Sequence, residues 1–113
     1  MKPGDLFLAP FLYTDLAQEK RRPVCVVSGE SFNQGSDVIV AMVTSRRTRL
    51  RAPGVGDVVL EDWQSSGLLA SSTLRIGRLQ TMESRLLESR LGSLSPHDLD
   101  MMRAALRTVL DLT

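Results

Sequence analysis

A chain of 113 residues, 42% hydrophobic and 24% charged, has the make-up of one ordinary globular domain spanning residues 1–113 and leaves no material for a second core. Fourteen basic against thirteen acidic residues give a formal charge of +1, which argues against a protein that coats nucleic acid through bulk charge. The single cysteine, Cys25, excludes an internal disulfide, and with one histidine, His97, a Cys/His zinc set cannot be built within one chain; no cofactor is expected.

In chain order, Asp5 to Tyr13 predicts a first strand, with Pro10 at an edge or a bulge because it donates no hydrogen bond. Its apolar stretch, Leu6 to Leu12, is far shorter than the ~20 residues of a membrane span, and no small-residue cleavage site closes it. A cytoplasmic location without membrane contact is expected. Thr14 to Arg22 reads as a polar connection, and Pro23 opens a second strand through Val24, Cys25, Val26 and Val27 that ends at Ser28 and Gly29. Phe32 to Ser36 reads as a turn, and Asp37 to Thr44 as a third strand. These two apolar, β-branched runs are expected at the centre of the sheet.

An arginine run follows, then Ala52-Pro53-Gly54 and a short strand over Asp57 to Leu60. Trp63 to Gly67 reads as a loop, and Leu69 to Ile76 as a strand leading into Leu79. Leu86, Leu87 and Leu91 predict a short helix broken at Gly92. Ser95 as N-cap, Pro96 at the first helical position and Asp98 facing the helix dipole start a last helix. Its apolar stripe is Leu99, Met102, Leu106, Val109 and Leu110. Strands followed by helices give an α+β class or a small barrel with an appended helix.

Charge is uneven along the chain: between Lys20 and Arg51 stand seven basic residues against two acidic ones. Twelve of the fourteen basic residues are arginine, whose planar fork grips a phosphate bidentately where lysine offers a point charge. A solvated arginine surface is the plain alternative to phosphate recognition. Position favours the latter. Pro23 holds Arg22 extended at the mouth of the second strand, and Thr44, Ser45, Arg46 and Arg47 lie at the exit of the third. If these strands pair antiparallel, Arg22 and Thr44 become neighbours and form a phosphate site. Cys25 reads as a buried apolar residue, His97 as exposed, Trp63 as core ahead of a surface for stacking on a base, and Met101 and Met102 as helix-face filler or a dimer contact.

The chain resembles the MazF/PemK/Kid family of bacterial toxins. The resemblance is carried in order by Gly4-Asp5-Leu6-Phe7-Leu8, Pro10-Phe11-Leu12-Tyr13-Thr14-Asp15, Lys20-Arg21-Arg22-Pro23-Val24, Val40-Ala41-Met42-Val43-Thr44-Ser45, Gly67-Leu68-Leu69 with Ser72 and Arg75, and Leu91-Gly92-Ser93-Leu94-Ser95. It implies a mainly β fold, a small SH3-like barrel of the CcdB/PemK kind with a C-terminal helix, usually a homodimer. The implied activity is sequence-specific, metal-independent cleavage of single-stranded RNA. A ribose 2′-hydroxyl attacks the adjacent phosphorus and leaves a cyclic phosphate and a 5′-hydroxyl, so DNA is no substrate.

The resemblance places catalysis on Arg22 and Thr44, with Arg75 matched as well. Gly77 stands where some members carry a catalytic aspartate, so no acid is carried over there. Arg22 would grip the phosphate and Thr44 would donate to its oxygens, with Asp15 as a base if its loop folds over the site. RNA contacts are expected from Thr14, Asp15, Gln18, Lys20 and Arg21 on one loop and from Ser45, Arg46, Arg47 and Arg49 on the other. The implied partners are the RNA, a cognate antitoxin and a second copy of the chain, with DNA reached only through an antitoxin complex. Two rivals stand beside this reading: a gyrase-binding toxin of the same fold, and an inactive RNA-binding relative made conceivable by Gly77.

Overall fold

The two β-branched runs pair with each other at the middle of a single antiparallel sheet, where both faces can be covered. The computed structural model describes residues 1–12 and 19–113. Among them the strands are β1 (Asp5–Leu12), β2 (Glu19–Val26), β3 (Asp37–Thr44), β4 (Asp57–Val59), β5 (Thr73–Glu83) and β6 (Arg90–Ser93). The helices are α1 (Glu30–Asn33), α2 (Arg47–Arg51) and α3 (Pro96–Leu110). The sheet order is β4-β5-β3-β2-β1-β6, so β3 and β2 are central as expected, and the sheet curls into a half-barrel with α3 against it.

One face carries Leu6, Cys25, Ala41, Val43, Leu74 and Ile76 together with Met102, and Leu99, Ala105, Leu106 and Val109 of α3 pack on it. Ala9, Phe11, Val24, Val26, Val38, Val40 and Met42 fill the other face, covered by Leu86 and Leu87. Cys25 is fully buried, and that burial, followed by the nearby Asp5 charge, pushes its thiol far above the usual range and leaves it unreactive.

Pro10 sits where its missing donor costs nothing. Leu8 donates its N–H to Ser89 at 2.9 Å, and β6 pairs only with residues 5–7, so the nitrogen two residues on points past the end of that neighbour. The helix start is also as expected: Asp98 donates its N–H to Ser95 Oγ at 3.2 Å. The Asp98 carboxylate is fully buried and accepts the N–H groups of Glu61 at 3.1 Å and Asp62 at 2.9 Å, which fixes the loop beneath the helix.

Several expectations are corrected. The second strand begins at Glu19 rather than at Pro23, because β1 extends as far and pairs with it from Leu6↔Cys25 to Leu12↔Glu19. The charged residues there pair with β1, where Ala9 stands opposite Arg22 and Phe11 opposite Lys20. Residues 30–33 form a turn of helix, α1, and the arginine run is helical in α2. The fourth strand ends at Val59, and the fifth starts at Thr73 rather than Leu69, where its partner ends in the pair Thr44↔Thr73.

No helix joins Leu86, Leu87 and Leu91. Leu86 and Leu87 pack on one core and Leu91 on the other, so a shared stripe is geometrically excluded; a 3₁₀ turn (Ser84–Leu86) leads instead to β6. Leu110 is exposed, and Ala105 takes its place on the packed side of α3. Met102 is buried and Met101 exposed. Among the described residues no helix is long and apolar enough to cross a membrane.

Candidate active site

The site follows from the pairing of β2 with β3. Its ladder runs Val26↔Val40, Cys25↔Ala41, Val24↔Met42, and two further residues in that register bring Arg22 opposite Thr44. Residues directly opposite share a face of the sheet. Arg22 and Thr44 line one cleft of about 210 Å³ with Pro23, Ser45, Ser72 and an apolar wall that includes Leu68, Leu69 and Leu91. Thr44 is buried, and its Oγ1 accepts the N–H of Arg46 at 3.2 Å. That bond orients the hydroxyl oxygen and leaves its proton to donate elsewhere.

On the other side of Thr44 is a smaller basin of about 90 Å³ lined by Met42, Thr44, Arg46, Thr48, Arg49 and Arg75. Arg75 reaches it because β5 pairs Met42↔Arg75 and Thr44↔Thr73, which sets Arg75 diagonally from Thr44 on the same face. Arg49 comes from α2, whose backbone is tied to the sheet by the bond from Thr73 Oγ1 to the Arg49 carbonyl at 3.3 Å. Behind both stands Asp57, 3.4 Å from Arg75 Nε and 3.8 Å from Arg49 Nη1.

The structure thus brings together Arg22, Thr44 and Ser45 in one cleft and Thr44, Arg46, Arg49 and Arg75 in the adjoining basin. Arg21 is turned elsewhere and pairs with Glu88 at 2.8 Å. Arg47 is exposed and lines neither depression. Thr14, Asp15 and Gln18 lie outside the described residues, as does the side chain of Lys20. His97 is exposed and sits 3.1 Å from Glu61, and Trp63 packs against the core. Among the described residues no group of three His, Cys, Asp or Glu side chains could hold a metal ion.

Sequence reasoning missed Asp57 and the apolar wall. Nothing local marks Asp57; only the pair Asp57↔Arg75 does. Leu69 is wholly exposed at the cleft, an unusual place for leucine, yet in the sequence it resembles a strand residue. Gly77 lies where β5 slips register between Ala41↔Leu79 and Met42↔Arg75. A Cβ built there meets no atom within 4 Å, so sterics do not demand glycine.

The family model described as PemK-like, MazF-like toxin of type II toxin-antitoxin system matches residues 2–110. A comparison with curated proteins gives no match. Among solved structures, an endoribonuclease in complex with its cognate antitoxin from a mycobacterial species superposes with a TM-score of 0.80 at 21% identity, covering 100% of this chain and 97% of that one. A MazE-MazF structure from Deinococcus radiodurans gives 0.75 at 21% identity, with coverages of 100% and 97%. A MazF toxin of Mycobacterium tuberculosis gives 0.71 at 20% identity, with coverages of 95% and 98%. At these identities the likeness is one of fold.

Proposed function

The chain belongs to the PemK-like, MazF-like toxin family of type II toxin-antitoxin systems, and from that premise we propose that it is a sequence-specific endoribonuclease that cuts single-stranded mRNA in the cytoplasm. One observation carries the reading: Arg22 and Thr44, 22 positions apart in the chain, share one cleft beside a basin of three arginines.

The chemistry begins with the ribose 2′-hydroxyl attacking the adjacent phosphorus. A new P–O bond forms, the P–O5′ bond breaks, the departing O5′ takes up a proton from solvent, and the products are a cyclic phosphate and a 5′-hydroxyl. Charge builds on the non-bridging oxygens. Arg22 balances that charge through its guanidinium, and the Thr44 hydroxyl, held by the Arg46 N–H, donates to the same oxygens. Arg75 lies across the basin with further positive charge. The described lining of the cleft contains no carboxylate or histidine, so the proton acceptor comes from elsewhere, and Asp15 is the residue the sequence offers. The apolar wall of Leu68, Leu69 and Ala70 gives a base or ribose a dry surface beside the scissile group.

The mycobacterial and Deinococcus structures are of complexes with an antitoxin, and we take the same kind of partner, and a homodimeric toxin, for this chain. Sedimentation at micromolar concentration is expected to give the dimer.

The test is to incubate the purified protein with a long RNA in EDTA. Cuts at a recurring short sequence, with 2′,3′-cyclic phosphate ends, are expected. Binding without cuts points to the inactive relative, and neither binding nor cuts to the gyrase-binding alternative; each outcome defeats the nuclease. In the same assay Thr44→Val, which keeps the shape and removes the hydroxyl, is expected to lower kcat about 10- to 100-fold with KM little changed. Thr44→Ser is expected to restore most of the loss.

A further inference from the structure

Asp57 begins β4 directly opposite Arg75, and its side chain is only 4% exposed. One carboxylate oxygen accepts the Gly54 N–H at 2.9 Å and lies 3.8 Å from Arg49 Nη1; the other lies 3.4 Å from Arg75 Nε. A buried carboxylate requires such partners, and two neighbouring guanidiniums require an anion between them if they are not to swing apart. Because Asp57 engages Arg75 through Nε, the terminal N–H groups of Arg75 are left for another acceptor. The basin in front of them is lined by Thr44, Arg46, Arg49 and Arg75, with Asp57 behind rather than within it.

We propose that Asp57 is a positioning residue that holds Arg49 and Arg75 as a paired receptor, and that this basin takes a backbone phosphate of the RNA strand lying across Thr44. This rests on the ribonuclease reading for the identity of the strand. The receptor itself rests on the geometry of β4, β5 and α2.

The sign of the effect distinguishes positioning from simple charge. If Asp57 only neutralised the arginines, removing its charge would tighten the hold on a polyanion. If it positions them, removal loosens that hold. Asp57→Asn keeps an oxygen for the Gly54 N–H, removes the charge that Arg49 faces, and turns an amide N–H₂ toward Arg75 Nε. The probe is a short mixed-sequence 2′-O-methyl RNA, which cannot be cut because it lacks the nucleophile. Its dissociation constant is measured for wild type, D57N, R49A/R75A and the triple variant, with melting curves alongside.

We expect D57N to bind about tenfold more weakly, and its effect to vanish once both arginines are gone. Equal or tighter binding by D57N overturns the proposal, as does a D57N loss that persists undiminished without the arginines. Should D57N fail to fold, Arg75→Lys decides: it keeps the charge and loses the Nε contact, so binding as weak as that of Arg75→Ala supports positioning and wild-type binding refutes it. A wild-type protein that binds this probe with the expected pattern yet cuts no RNA in EDTA sinks the nuclease and leaves the receptor standing.

Discussion

Arg22→Ala is expected to lower RNA cleavage about 10²-fold or more while leaving the fold intact. A factor of that size is ~2.7 kcal/mol of transition-state stabilisation. Two unit charges 4 Å apart at an effective dielectric near 20 interact by about 4 kcal/mol, so one guanidinium on a phosphorane can supply it. The arginines on the far side of Thr44 do not replace it, because they line a different depression. The fold should tolerate the change, since the β2–β3 ladder begins at Val24↔Met42, beyond Arg22, and the side chain is only half-buried. Arg22→Lys keeps the charge and loses the planar fork, and an intermediate rate is expected. The measurement is kcat/KM on a defined RNA together with a melting curve. Near-normal cleavage by a folded Arg22→Ala protein removes Arg22 from the mechanism and with it the main support for the nuclease.

The parts of this site that could be read from the sequence are those set by local chemistry plus one pairing. Asp37 to Thr44 has the bounds expected of it because an apolar, mostly β-branched run stands unbroken from Val38 to Val43 between turn residues and arginines. Pro23 marks the approach to the core of β2, so the antiparallel register that sets Arg22 against Thr44 follows from two short segments. Ser95, Pro96 and Asp98 announce α3 for the same reason, since a cap is a local motif.

What could not be read depends on distant partners. Asp57 meets Arg75 only through the pairing of β4 with β5, strands separated by residues 60–72, and neither strand signals that register. Lys20, Arg21 and Arg22 look like loop residues because they are charged, yet β1 runs beside them and supplies the hydrogen bonds of a strand. Leu86, Leu87 and Leu91 look helical until the two faces of the sheet claim them separately. The wall of the cleft was hidden for a related reason: residues 68–70 are held there by a turn whose tightness is invisible without the strand it touches.

That turn is the setting for the largest expected effect on stability. Gly67 has φ +87°, a conformation that costs an L residue roughly 1–2 kcal/mol, and a Cβ there would overlap the carbonyl oxygen of Leu91 and lie 2.8 Å from its carbonyl carbon. Gly92 faces it from β6, and a Cβ there would in turn overlap the carbonyl oxygen of Ser66. Both obstacles are backbone, so no side chain can swing aside. Accommodating an alanine requires moving the turn off β6, which withdraws Leu68 from the core and displaces Leu69 at the rim. Gly67→Ala is therefore expected to cost about 3 kcal/mol or more, a fall in Tm of roughly 10 °C or greater for a chain of this size, with cleavage reduced in the protein that remains folded. Gly77→Ala is the control, because a Cβ there meets nothing within 4 Å and its φ is not positive; its stability should change by less than about 0.5 kcal/mol. Equal melting temperatures for the two variants would show that the turn can leave β6 without cost, and the apolar wall would then not be a fixed part of the cleft that Arg22 and Thr44 share.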